Sequence, residues 1–141
     1  MLEFFIPVLP ASKPTGNIGR SGKIYQNSEK YLRFKRESLK HFSEYDYTLK
    51  DSCHGILIVG FLAPTKKRSQ DLGQISGAIY DILVTAKVIQ DDRLTNFSRS
   101  LSYYFRNPDK QGYYVGLAES SDEWDRCLIS PSKAETIIDI F

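Results

Sequence analysis

The chain has 141 residues, 41% hydrophobic and 26% charged, ordinary proportions for one soluble globular domain. Its 9 Tyr and 8 Phe residues carry too much apolar surface for a disordered chain, and its apolar runs stop at strand length, which excludes a helical membrane span. The formal net charge of +2 hides an asymmetry: residues 1–110 are net +6 and residues 111–141 net −4, so a basic body suited to a polyanion precedes an acidic tail.

Leu2–Val8 reads as a first strand with Pro7 near its end. Pro10 to Gly22 is loop-like, rich in Pro and Gly, and carries Lys13 and Arg20 with Lys23 beside it. Such a basic loop either wraps a phosphate backbone or simply connects two elements. Asn27 or Ser28 caps a helix predicted to run to about Glu44. Tyr31, Phe34, Leu39 and Phe42 form its apolar face, and Lys30, Arg33, Lys35, Arg36 and Lys40 cover much of the rest. Gly55–Leu62 is an unbroken apolar run, which predicts a central strand covered on both faces. Ala63 to Gln70 is an exposed basic loop containing Lys66, Lys67 and Arg68.

Asp71 opens a second helix, in which Leu72, Ile75, Ile79, Ile82, Leu83 and Ala86 recur at helical spacing. Gly73 and Gly77 inside it each cost about 1 kcal/mol against alanine, so they mark close packing or a tolerated loss. Phe97–Arg106 alternates as a strand, 107–112 is a turn, and Tyr113–Ala118 returns as its hairpin partner. Ser130-Pro131 starts a short C-terminal helix. This order predicts an α+β domain with a small mixed β-sheet and two main helices over residues 1–118, followed by an acidic extension over 119–141.

The isolated Cys53 and Cys127, with His41 and His54, lack the spacing of a structural zinc site and suit a reducing cytoplasm. Met1 to Phe5 has no basic n-region, so no signal peptide is expected. The residues that point to chemistry lie between Lys66 and Asp92. Asp71 stands where a basic loop meets a helix, and the pair Asp91-Asp92 follows 20 and 21 residues on. Carboxylates gathered beside a basic surface suit a magnesium-dependent nuclease, because hard oxygen ligands hold Mg²⁺ and the metal activates water. Against this, Asp71 with Gln74 is a plausible capping pair, Asp81 a solvated helix position and Asp91-Asp92 a turn.

Over roughly Phe4 to Leu117 the sequence resembles the RusA family of Holliday-junction endodeoxyribonucleases. The resemblance rests on Phe5-Ile6-Pro7, Pro10, Ser12-Lys13-Pro14, Tyr25, Tyr31 and Phe61-Leu62-Ala63-Pro64. It is strongest at Asp71, Asp81-Ile82-Leu83 and Val88-Ile89-Gln90-Asp91-Asp92. The family pattern has Asp-x-Asp-Asn, then a Lys four residues after the second Asp. Here Gly73 stands at the second Asp, Gln74 at the Asn and Gly77 at the Lys.

What the resemblance implies is a Mg²⁺-dependent crossover junction endonuclease of phage or prophage type, acting in recombination and repair in a bacterial cytoplasm. Mn²⁺ would substitute for Mg²⁺. Asp71 and Asp92, with Asp91 as the stand-in acid, would ligate the metal as catalytic residues. Lys13, Arg20, Lys66, Lys67 and Arg68 would bind DNA, and a homodimer would engage a four-way junction. The alternative is a catalytically impaired RusA-fold protein that binds DNA structures or a host protein. An interaction module unrelated to DNA is a third reading. In the tail, Ile137-Ile138-Asp139-Ile140-Phe141 resembles the bacterial sliding-clamp-binding peptide Gln-Leu-Asp-Leu-Phe, so residues 119–141 either reach a protein partner or dock on the body.

Overall fold

The structure, a computed structural model, describes residues 1–12, 29–50, 53–63, 72–90, 97–127 and 131–140. Strand β1 (Leu2–Ile6) is followed by helix α1 (Glu29–Phe42), strand β2 (Cys53–Leu62), helix α2 (Leu72–Thr85), strand β3 (Phe97–Arg106) and strand β4 (Gly112–Ala118). Two short helices, α3 (Ser121–Cys127) and α4 (Pro131–Glu135), and a 3-10 turn at Ile137–Ile140 complete the chain order. The strands form one sheet in the order β1-β4-β2-β3. β4 runs antiparallel to both β1 (Phe4 opposite Val115) and β2 (Ile58 opposite Val115), whereas β2 and β3 are parallel. The fold is α+β with a small mixed sheet.

The apolar run of β2 explains its central place. Its residues alternate between two cores, and a strand buried on both faces needs no polar side. Ile56 and Ile58 face Tyr31, Phe34, Ile79 and Ile82 of α1 and α2. Leu57, Val59 and Phe61 face Trp124, Cys127 and Ala134 on the other side. Gly55 belongs to this second packing, since a Cβ there would stand inside the Trp124 ring. β1 ends at Ile6 because Pro7 has no N–H for the ladder, and the Val8 N–H turns back to the Ile6 carbonyl at 2.8 Å.

Two expectations need correction. β4 is not the hairpin partner of β3, because β2 lies between them. The turn after β3 crosses the end of β2 instead, where the Asn107 N–H donates to the Leu62 carbonyl at 3.1 Å. The physical reason is polarity. The most apolar strand takes the centre, while β3, with exposed Arg99, Ser100 and Ser102, tolerates an edge. The acidic segment after Glu119 also holds a helix, α3, that the sequence reading passed over. Ser120 Oγ accepts the Glu123 N–H at 3.2 Å and Glu123 Oε2 accepts the Glu119 N–H at 2.6 Å, a variant of the capping box. The capping residues expected at Asn27, Ser28, Asp71 and Ser130 lie outside the described residues.

Candidate functional site

The acidic segment singled out in the sequence maps onto the crossover from β2 to β3. Two parallel neighbouring strands need such a crossover, and α2 supplies it. Its direction is set by contacts at both ends. Near its start, the Ser76 hydroxyl bonds the Tyr104 hydroxyl in the second half of β3. Just past its end, the Val88 carbonyl accepts the Lys50 N–H at 2.9 Å, and Ile89 bridges Lys50 ahead of β2. The helix therefore runs the length of the sheet, opposite to the strands it joins. A 14-residue helix rises about 20 Å. Leu72, which follows Asp71, and Gln90, which precedes Asp91, stand at opposite ends of it.

Asp71, Asp91 and Asp92 themselves lie outside the described residues, as do Lys13, Arg20, Lys66, Lys67 and Arg68. Among the described residues no group of three His, Cys, Asp or Glu side chains is placed to hold a metal. Within one copy, the described flanks of the acids are separated rather than brought together.

Asp81, in the middle of α2, is not a solvated position. Its carboxylate accepts the Tyr31 hydroxyl and the Lys35 ammonium, the latter at 3.2 Å, and about a third of the side chain remains exposed. Burial, with the Asp81 carboxylate beside it, holds the Tyr31 phenol well above its usual range. The sequence hid this because the partners lie about 50 residues upstream. Asp81 thus joins α1 to α2 as a structural acid. Gly77 has nothing within 4 Å of where a Cβ would sit, so of the two sequence readings for that glycine, a tolerated loss holds.

The thiols are not primed as nucleophiles. Burial, then the nearby Glu119 carboxylate, pushes Cys53 up to about 11, and burial with Glu3 and Glu123 raises Cys127 as well.

Charge is divided between the faces of the molecule. α1 and α2 cover one face of the sheet with Lys30, Arg33, Arg36 and Lys40 exposed on α1. α3 lies on the other face, turning Trp124 and Cys127 inward and leaving Asp122 and Asp125 exposed. The sheet separates the acidic α3 from the basic α1, so the described part of the tail does not cover that basic face within one copy. It is anchored by Trp124 and by an ion pair between Lys110 and Asp139.

The two edges of the sheet also differ. At β1 the Tyr45 hydroxyl accepts the Phe5 N–H at 3.1 Å and donates to the Phe5 carbonyl at 2.9 Å, so one side chain occupies both outward backbone groups. β3, twice as long, has no partner strand on its outer side among the described residues. No helix among the described residues is long and apolar enough to cross a membrane. No protein-family model and no curated protein matches the chain.

Proposed function

We propose that this chain is a RusA-like DNA-junction protein, a homodimer that binds branched DNA and, with Mg²⁺ or Mn²⁺, nicks it in recombination and repair. The observation that carries this reading is the β2–α2–β3 unit. The motif segment from Asp81-Ile82-Leu83 to Val88-Ile89 lies on one helix and the turn after it. Ile82, Leu83, Val88 and Ile89 are buried as the sheet-packing part of the motif. The acid positions bracket the two ends of that helix.

The homodimer has its own support. Tyr45 guards the β1 edge at Phe5, and among the described residues β3 has no outer partner strand, so β3 is the edge assigned to pairing. Antiparallel pairing of β3 with β3 of a second copy joins two sheets about a twofold axis. It sets the start of α2 in one copy at the same end of the joined sheet as the finish of α2 in the other. An arrangement of that kind would serve acids that flank the two ends of one helix in the sequence.

The reading without cleavage is favoured by Gly73 and Gly77, which stand where the resembled family has its second Asp and its Lys. The deciding experiment is cleavage of a synthetic four-way junction at protein excess with Mg²⁺ and then Mn²⁺, beside Asp92→Asn. Paired nicks that vanish in the variant support the nuclease. Retardation without nicks supports the binding protein, and nicks that persist in the variant contradict the assignment of Asp92.

A further inference from the structure

We infer that the outward face of α1 is a nucleic-acid contact surface that grips the phosphodiester backbone through Arg33, Arg36 and Lys40, with Lys30 at its flank. The inference rests on the branched-DNA reading above and adds to it residues other than Lys13 and Lys66–Arg68.

The helix buries Tyr31, Phe34, Ser38 and Phe42. At 3.6 residues per turn this leaves Lys30, Arg33, Arg36 and Lys40 on about one third of the circumference, opposite the buried stripe. All four are exposed, and among the described residues none is ion-paired. Lys35 differs, because it turns toward α2 and pairs with Asp81. The helix carries two acids on the same third of its surface, Glu29 in its first turn, where the helix dipole favours it, and Glu37 between Arg33 and Lys40, so the face carries four cations against two acids.

Charge, spacing and composition choose the occupant. The four cations rise along about 15 Å of helix axis, and that length of duplex carries roughly nine phosphates. Two arginines offer planar forks to phosphate oxygens, and two lysines offer point charges. The centre of a protein-binding face is instead depleted of lysine and built around buried apolar anchors. Here the exposed Leu32 and half-buried Leu39 lie to one side of the cations. The α1 anchorage through Tyr31 and Lys35 to Asp81 holds the face at a fixed angle to the sheet. The sequence does show the signal, as basic residues at i, i+3, i+6 and i+10.

The test is fluorescence anisotropy of a labelled four-way junction across a salt series. It compares the full chain with Arg33→Gln/Arg36→Gln/Lys40→Gln, changes that keep good helix formers on the surface. A circular dichroism melt verifies that the variant folds like the parent. The expected result is a log Kd against log salt slope smaller by about 2 to 3, since each phosphate contact contributes about 0.9, and affinity at least about tenfold weaker at low salt. An unchanged slope in the folded variant overturns the α1 surface and leaves the junction reading standing. Failure of the parent chain to bind any DNA at low salt overturns both. Retention of the parent, but not the variant, on immobilised polyglutamate with no binding to DNA reassigns the face to an acidic protein.

Discussion

The Tyr31 hydroxyl of α1 donates to the Asp81 carboxylate of α2, and the Lys35 ammonium reaches the same oxygen at 3.2 Å. These two bonds fasten the two helices that cover one face of the sheet. Tyr31→Phe removes a donor to a charged acceptor and should cost about 1.5 kcal/mol, the lower end for such bonds because Asp81 is partly exposed. Asp81→Asn should cost a similar amount. The double variant should lose less than the sum, since both changes break one bond. Denaturant melts of the three variants measure this, and strict additivity contradicts the shared bond.

The second core depends on residues after β4. Trp124 is 4% exposed and packs over Gly55, in one cluster with Leu57, Val59 and Phe61. Trp124→Ala should cost about 3–5 kcal/mol. Gly55→Ala should cost about 1–3 kcal/mol through overpacking. A chain cut after Ala118 should lose cooperative unfolding altogether. A truncated chain that melts like the parent would contradict this packing and return the tail to the role of a free partner-binding segment.

Gly77 offers the opposite case. It sits in the interior of α2 with open space around its Cβ position. Gly77→Ala should raise stability by about 1 kcal/mol, seen as an upward shift of the thermal midpoint. Gly77→Lys should fold as well as the parent, because the space that admits a methyl opens outward. A loss of stability in the alanine variant would show that the glycine is required.

Alkaline pH should weaken the fold. Burial raises the Cys53 thiol to about 11, and Cys127, Tyr31, Tyr104, Tyr113 and Tyr114 move in the same direction. A group held above its unfolded pKa binds its proton more tightly when folded. Its contribution is complete below the unfolded value near 9 and falls as pH rises toward 11. The thermal midpoint should stay level from about pH 7 to 9 and then drop. A midpoint that rises across that upper range would contradict the burial of these groups.

The β3 edge, which has no outer partner strand among the described residues, predicts the oligomer. Ser100→Lys/Ser102→Lys places charges along the exposed strand, the way natural sheets discourage edge pairing. Light scattering should report a dimer for the parent chain and a monomer for the variant. A dimer that survives the two lysines would move the interface elsewhere.

Much of this architecture was legible in the residues. The apolar run at Gly55–Leu62 announced the central strand, and the alternation of Phe97–Arg106 marked β3 with the bounds observed. What failed was pairing. Alternation and a turn between β3 and β4 are local, whereas the insertion of β2 between them is decided by which strand most needs burial on two faces. The role of Asp81 was illegible for a related reason, since its partners come from another helix. α3 was legible at Ser120 and Glu123, a capping pair three residues apart ahead of Trp124. Asp71, Asp91 and Asp92 lie outside the described residues, and the site reading there rests on the sequence pattern.

The central claim, recognition of branched DNA, is tested most directly by competition. A labelled four-way junction is bound by the full chain at low salt without divalent metal, and unlabelled duplex or unlabelled junction of equal length is added. Junction should displace the probe at least about tenfold more effectively than duplex, with binding that falls steeply as salt rises. Equal competition by duplex, or no binding at low salt, would contradict the account.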